Sequence, residues 1–149
     1  WNSTAPTSTV FSVGASNTYT NTASNKQIAY CFHSVEGYSS IGKYTGNGSA
    51  DGPFVYTGFR PAWLMIKKAT GSVNANAGWI LKDATRDIDN VVNANLQAES
   101  TGAEYTSGSE DFLSNGFKIR TNNIGQNTSG SEYIYMAFAE NPFKNALAR

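Results

Sequence analysis

The sequence is poor in the residues that most often carry out chemistry, because only one of its 149 residues is cysteine and only one is histidine. Cys31 alone excludes an internal disulfide, and with a single imidazole at His33 the chain offers no thiolate or imidazole metal set. Cys31 lies between Tyr30 and Phe32, so we expect it to be buried as a small apolar residue. We expect His33 to be held by packing and one hydrogen bond rather than to act as a catalytic base.

Charge is also scarce, at 15% of residues against about a quarter in ordinary globular domains, and the formal net charge is zero. Nucleic-acid binding normally needs a basic face, so we expect no nucleic-acid partner. No apolar run reaches about 18 residues, so we expect no membrane insertion. The chain begins at Trp1 without a signal peptide, and we expect it to be a fragment or a processed product of something longer.

Short polar side chains take the place of charge, because Asn, Ser and Thr make up about a third of the chain. Such a surface offers many neutral hydrogen bonds at a low cost in side-chain entropy. Aromatic residues reach 13% and include eight tyrosines. This composition is typical of secreted or virion-borne β proteins and of sugar-binding proteins.

Apolar and alternating runs predict strands. They cover Thr9–Val13, Gln27–Val35, Ala62–Ile66, Trp79–Asp83, Asp111–Leu113, Phe117–Arg120 and Glu132–Glu140. Gln27–Val35 reads as an inner strand, and Ala62–Ile66 as a central strand that is buried on both faces and forms a hairpin with Trp79–Asp83. Asn115-Gly116 predicts a further hairpin through a type I′ turn, in which both residues take a positive φ.

Two long stretches between these runs lack a strand pattern. Asp83–Gln97 has apolar residues at helical spacing but several asparagines, so we expect an irregular connection with at most one helical turn. Glu99–Glu110 is polar and predicts a loop. The whole pattern predicts an all-β fold, an antiparallel β-sandwich of the jelly-roll or concanavalin-like kind with at most one short helix. Residues 26–149 form this domain, and residues 1–25 are a linker or first-strand region that joins it to an upstream module.

Motifs for catalysis are missing, and we expect no enzymatic activity and no cofactor. The G-x-S-x-G elbow of the α/β-hydrolases does not occur, and neither does the E-x-D-x-x-E signature of concanavalin-like glucanases. A polysaccharide depolymerase remains an alternative, since glycosidases use paired carboxylates. Its candidate carboxylates are Asp87, Asp89, Glu110 and Asp111.

Asp87 and Asp89 offer hard oxygen ligands and form a weak candidate calcium site, although EF-hand spacing is absent. The alternative is a solvated polar loop, and we favour it. Asp83 and Arg86 are close enough in sequence to form a local ion pair that holds this connection.

The glycine-studded stretch from Tyr44 to Gly71 and its neighbours suggest a carbohydrate contact, because a tyrosine can stack on a sugar ring and also hydrogen-bond. The candidate ligand-binding residues are Tyr38, Tyr44, Asn47, Asp51, Tyr56 and Arg60. The alternative is that several of these tyrosines close one end of the sandwich.

Four segments resemble a known family. They are Y-T-G-N-G-S-A-D-G-P-F-V-Y-T-G-F-R-P-A-W-L-M-I-K-K from Tyr44, W-I-L-K-D-A-T-R-D from Trp79, F-L-S-N-G-F-K-I-R from Phe112 and Y-I-Y-M-A-F-A-E-N-P-F-K from Tyr133. They are similar to a functionally uncharacterised domain found toward the C-terminal ends of bacteriophage structural proteins, especially tail-fibre-like ones, where it often follows a concanavalin-like lectin module. The resemblance runs from about Ile28 to the C-terminus.

The resemblance implies a location on the virion and transfers no catalytic residue. We expect an adhesin-like domain of a tail fibre or related appendage whose partners are a host-surface glycan or protein. We also expect contacts with other virion proteins and with copies of itself, in a homo-oligomer such as a trimer. The alternative is a purely structural fibre, tail or capsid-decoration module that makes subunit contacts.

Overall fold

A computed structural model describes residues 4–14, 21–24, 26–71 and 77–142, and the chain divides into two compact units, Trp1–Phe32 and His33–Arg149. The first unit has no helix or strand in its described residues. Several of its large apolar side chains are exposed, among them Ile28, Tyr30 and Phe32.

The described part of the second unit is all-β, with eight strands and no helix. The strands are β1 (Ser39–Thr45), β2 (Phe54–Tyr56), β3 (Pro61–Lys68), β4 (Ile80–Asp83), β5 (Val92–Gln97), β6 (Tyr105–Leu113), β7 (Gly116–Ile119) and β8 (Glu132–Ala139). They form one antiparallel sheet in the order β1-β8-β3-β4-β5-β6-β7-β2. Across the described ranges, no helix is long and apolar enough to cross a membrane.

The sheet curls into a nearly closed barrel, and the loop between its two edge strands ties one end together. β1 and β2 lie at opposite edges of the sheet, yet only residues 46–53 separate them in the chain. The N–H of Gly46 donates to the carbonyl of Ser131 (2.9 Å), and the N–H of Gly52 donates to that of Ile119 (3.1 Å). A Cβ at Gly46 would lie 2.4 Å from the Thr128 carbonyl oxygen, so the close approach requires glycine.

The core fills the barrel with alternate residues of the strands, as the two-residue period of a sheet dictates. Its least exposed members, at 0–1%, are Leu64, Ile66, Val92, Phe112, Phe117, Ile119, Tyr133 and Ala137. Tyr44 belongs to this core, because its ring stacks on Tyr133 at 5.1 Å and its hydroxyl donates to the Gln126 carbonyl at 2.7 Å. Burial raises the pKa of Tyr44 well above its ordinary value, so the hydroxyl remains a donor.

The predictions of the two strands nearest the N-terminus are wrong. Neither Thr9–Val13 nor Gln27–Val35 forms a strand, and only Val35 makes an isolated bridge, to Ser39. Ile28 and Tyr30 are about four-fifths exposed. The apolar pattern of this segment therefore does not correspond to a buried face. Cys31 is exposed for the same reason, which corrects the expectation that it is buried.

The two polar stretches predicted as irregular contain strands, because hydrogen bonding rather than apolar alternation holds them. β5 lies within Asp83–Gln97, and β6 begins at Tyr105 inside the predicted loop Glu99–Glu110. Ile88 and Val91, which gave the helical spacing, are 75% and 41% exposed.

The predicted central strand, its hairpin with the strand that follows and the final strand are confirmed. β3 lies between β8 and β4. It buries Leu64 and Ile66 on one face while Met65 on the other face is half-buried, so the expectation that both faces are buried is wrong. The hairpin between β6 and β7 is also confirmed, but its type I′ turn is wrong. Leu113 pairs with Gly116, and neither Asn115 nor Gly116 has a positive φ. Gly116 is needed for space instead, since a Cβ there would lie 2.1 Å from the Val55 carbonyl oxygen.

Candidate functional site

A cavity of about 160 Å³ lies where the first residues of β4 and β6 meet the loop that follows β7. Its lining consists of Ile80, Tyr105, Ser107, Asn123 and Gln126. The lining therefore combines one aliphatic and one aromatic surface with two hydroxyl groups and two carboxamides. None of these side chains is a carboxylate, an ammonium or an imidazole.

A glycine in β6 positions the residues that line the cavity. Gly108 takes a φ of +71°, and the register between β5 and β6 shifts between Val92 and Ala94. Between the pairs Val92–Glu110 and Ala94–Thr106, β6 runs four residues while β5 runs two, so β6 bulges around Gly108. As a result Tyr105 and Ser107 reach the cavity before the bulge, whereas Glu110 is buried after it.

Burial raises the pKa of Tyr105, and the Glu99 carboxylate adds to the effect. The phenol is therefore a neutral hydroxyl group at neutral pH and can both donate and accept a hydrogen bond. Asn123 orients the neighbouring hydroxyl group, because its Nδ2 donates to Ser107 Oγ at 3.0 Å. Its Oδ1 accepts the N–H of Gly125 at 2.8 Å, which fixes the amide in the loop.

A buried ion pair lies behind the cavity. Lys82 Nζ is 2.8 Å from Glu110 Oε2, and the two side chains are 1% and 0% exposed. Lys82 also donates to the carbonyls of Val92 (3.1 Å) and Gly108 (3.3 Å), so the main chain holds the ammonium beside Glu110. Burial raises the pKa of Glu110 to about 7, although Lys82 favours the ionised form.

Gln126 connects the ion pair to the cavity. Its Nε2 donates to Glu110 Oε1 at 2.9 Å, while its own Oε1 is buried without a hydrogen-bond partner. A Cβ at Gly108 would lie 1.9 Å from Gln126 Oε1. Glycine therefore leaves room for this amide and also accepts the positive φ. An unpaired buried acceptor costs about 1–3 kcal/mol, which a bound group that donates a hydrogen bond would recover.

Asn95 supports the backbone of β6 behind the lining. Its buried Nδ2 donates to the carbonyls of Asn93, Tyr105 and Ser107. Its Oδ1 is the second buried amide oxygen without a partner in this part of the barrel. The main chain that carries Tyr105 and Ser107 is thus held by side-chain bonds as well as by strand pairing.

A larger open groove of about 600 Å³ lies within the unit Trp1–Phe32, between segments that have no secondary structure. Its lining is mostly apolar and includes Phe11, Val13 and Ile28. The smaller cavity is the better candidate, because it combines an apolar wall with several convergent polar groups on β6 and on the loop after β7.

The candidate residues predicted from the sequence fall at different places. Tyr38 and Arg60 lie at the end of β8, where their carbonyls accept the N–H groups of Ala139 and Glu140. Asn47 and Asp51 lie together in the loop after β1, where Asn47 Nδ2 donates to the Asp51 carbonyl at 2.9 Å.

The remaining two candidates of that set are also separate, since Tyr44 is in the core and Tyr56 is exposed on β2. The structure thus brings the six predicted residues to several places rather than to one. Their contact with a ligand stays a prediction.

The candidate carboxylates are held by other groups where contacts are seen. Asp87 Oδ2 accepts the N–H groups of Asn93 (2.7 Å) and Ala94 (2.6 Å). Asp111 lies 3.6 Å from Arg120. The predicted ion pair between Asp83 and Arg86 is confirmed, with their closest atoms 2.5 Å apart. In the part of the chain that the structure describes, no group of three or more His, Cys, Asp or Glu residues could hold a metal ion.

Sequence reasoning missed Lys82 and Gln126 and the residues that line the cavity. One signal was present for Lys82: it alternates with Ile80 along a strand, so both face the core. Gln126 and Asn123 lie in a polar loop, where no pattern in the sequence distinguishes buried from exposed amides.

Comparison with known proteins gives a family but no characterised relative. No curated protein and no solved structure matches the chain. A family model described as "Domain of unknown function (DUF7483)" matches residues 1–142, and this range includes the residues 1–25 that the sequence assigns to a linker. The chain therefore belongs to the DUF7483 family.

Proposed function

We propose that this domain is a non-enzymatic binding module that takes one sugar unit of a glycan into the cavity lined by Tyr105, Ser107, Asn123 and Gln126. The observation that carries the proposal is the buried Gln126 Oε1, an acceptor without a partner among side chains that hydrogen-bond. Drug-sized ligands occupy about 300–1,000 Å³, so a cavity of about 160 Å³ suits a single small ring.

The chemistry of the lining supports a sugar over other small ligands. A tyrosine offers a ring face for C–H groups together with a hydroxyl group, and carboxamides bond to neutral hydroxyls. The lining has no charged side chain, so a strongly charged ligand such as a phosphate would lack a counter-ion there. The same absence argues against acid–base catalysis within the cavity.

The sequence resemblance supports a wider proposal about where the domain works. We place it on a bacteriophage particle, in a tail fibre or related appendage, where the glycan belongs to the host surface. Many copies on one particle would bind at the same time, so the overall avidity would exceed the weak affinity of a single site. We also propose that the curled sheet acts as a sandwich, with the strands on either side of β5 facing each other.

A glycan array tests the binding proposal. Wild-type protein should bind a restricted set of oligosaccharides, and Asn123→Ala and Ser107→Ala should each weaken binding at least about tenfold, since each removes one hydrogen-bonding group. The matched control is Asn115→Ala, because Asn115 is exposed in the β6–β7 turn. Binding that all three variants retain equally would place the glycan elsewhere on the surface.

A structural role is the second candidate, and an apolar outer face favours it. Ile41, Met136, Met65 and Leu81 lie in one cross-strand row over β1, β8, β3 and β4. Ile41 is 36% exposed, and Ile134 on the same face of β8 is 41% exposed. A contiguous apolar face of this kind is typical of contacts between subunits.

Size-exclusion chromatography with light scattering separates the two candidates. If this face joins subunits, the wild-type protein is an oligomer and Met136→Lys dissociates it. Tyr56→Lys, at an exposed site on β2, serves as the control and leaves the assembly unchanged. A monomer at all concentrations would contradict the structural role.

A further inference from the structure

The orientation of the Gln126 carboxamide follows from the charge on its neighbour. An ionised carboxylate only accepts hydrogen bonds, so Glu110 Oε1 must face the Nε2 group of Gln126, at 2.9 Å. The amide oxygen then points away from Glu110 and has no partner. The main chain of Gln126 is held separately, because its N–H donates to the Asn123 carbonyl at 3.1 Å and its carbonyl accepts the Tyr44 hydroxyl.

We infer that Glu110 is a positioning residue that fixes which end of the Gln126 amide the cavity presents, so that the ligand at this point must donate a hydrogen bond. This inference rests on the proposed function and makes it more specific. The ligand class is a sugar with a free hydroxyl group at the matching position, and an ether or another acceptor-only group there is rejected.

Protonation of Glu110 would reverse this arrangement. A neutral carboxyl group carries one O–H donor, which bonds best to the oxygen of Gln126, so the amide turns over and presents its NH₂ group instead. The charged or titratable groups around Glu110 are Lys82 on β4, Tyr44 on β1 and Asp111 beside it on β6. Arg120 lies beyond Asp111 as its ion-pair partner. The pKa of Glu110 is raised to about 7, so the change falls within an accessible pH range.

The first arm of the test needs no ligand. The side-chain ¹⁵N–¹H₂ signals of Gln126 are followed by NMR between pH 5 and pH 8.5 in wild-type protein and in Glu110→Gln. We expect the wild-type signals to shift in one step with a midpoint near 7, and the variant signals to stay constant over that step. The matched control is Glu104→Gln, at an exposed ion pair, which keeps the wild-type step. If the Gln126 side-chain signals of the wild-type protein do not change with pH, the inference is overturned.

The second arm measures selectivity with methyl galactoside, methyl glucoside and the mono-O-methyl ethers of each. At pH 8.5 one ether should bind about tenfold more weakly than its parent, the loss that one hydrogen bond explains. The penalty should fall below about threefold at pH 5 and should not depend on pH in Glu110→Gln. An equal penalty at both pH values would contradict the role of Glu110. If neither parent glycoside nor any ether binds, the proposed function fails for these sugars, and the first arm still decides the inference.

Discussion

Replacement of Glu110 by Gln should remove a specific dependence of stability on pH. Glu110 has no exposed surface, and its Oε2 forms an ion pair with Lys82 Nζ at 2.8 Å. Glutamine keeps the size of the side chain and one acceptor oxygen for Lys82, which also retains the carbonyls of Val92 and Gly108. The variant therefore keeps the packing and loses the titration.

The magnitude follows from the pKa of Glu110, which burial raises from 4.5 to about 7. A raised carboxyl pKa means that the folded state binds the proton more tightly than the unfolded state. Its contribution to stability is therefore complete below pH 4.5, falls as pH rises toward 7 and is constant above that. At 1.36 kcal/mol per pKa unit, the wild-type protein should lose about 3 kcal/mol over this range relative to the variant.

The assay is urea unfolding at half-unit steps from pH 4 to pH 8.5, which gives the free energy of unfolding of both proteins at each pH. The difference between the two curves cancels the contributions of the other titrating groups. Asp51 and Asp83 titrate below this window, because hydrogen bonding and ion pairing lower the pKa of each from 3.8. Glu140→Gln, at a half-exposed pair with Arg60, is the control and should run parallel to wild type.

Two results would contradict a raised pKa of Glu110 in the folded protein. Parallel curves for wild type and Glu110→Gln would mean that Glu110 titrates near its ordinary value in the folded protein. A wild-type curve that rises relative to the variant between pH 4.5 and 7 would mean that Lys82 stabilises the carboxylate by more than burial costs.

Three further substitutions test the fold. Gly46→Ala should lower the free energy of unfolding by about 2 kcal/mol or more, because its Cβ would lie 2.4 Å from the Thr128 carbonyl oxygen. Asn127→Asp should cost about 3 kcal/mol or more, since the buried Asn127 Nδ2 donates to three oxygens that a carboxylate would repel. Phe112→Ala should cost about 3–5 kcal/mol, because the ring is fully buried in the core.

Urea unfolding at pH 7 checks all three, and each has a matched control. Gly37→Ala meets no atom within 4 Å and should cost about 1 kcal/mol, from its positive φ alone. Asn115→Asp and Phe54→Ala, both at exposed positions, should each cost less than about 1 kcal/mol. Equal losses in a variant and its control would mean that the close contact or burial assigned to that residue is wrong.

The strands that sequence reasoning predicted correctly are those whose apolar residues decide the structure. Ala62–Ile66 and Glu132–Glu140 carry enough apolar side chains for their strand structure to follow from the pattern alone. β1 was not predicted as a strand through Tyr44, because Gly42 and two serines weaken its pattern. Gly42 leaves room there for the Tyr135 side chain, whose hydroxyl oxygen would lie 2.9 Å from a Cβ at this position.

The candidate site could not be predicted because its buried groups are polar. β5 and β6 are stabilised by Asn95, Lys82 and Glu110, whose hydrogen bonds form only after distant strands meet. Local periodicity contains no information about such pairs. The opposite error occurred at Gln27–Val35, where an apolar alternation is present but the side chains are exposed.

We propose that the cavity beside β6 receives a sugar unit. This proposal is tested most directly by NMR titration of ¹⁵N-labelled protein with the monosaccharide constituents of any glycan that binds on the array. We expect saturable shifts in the backbone signal of Ser107 and the side-chain amide signals of Asn123 and Gln126, with those of Asn115 unchanged. Saturable binding that shifts residues of the loop 46–53 or of β2 and leaves Ser107, Asn123 and Gln126 unchanged would contradict it.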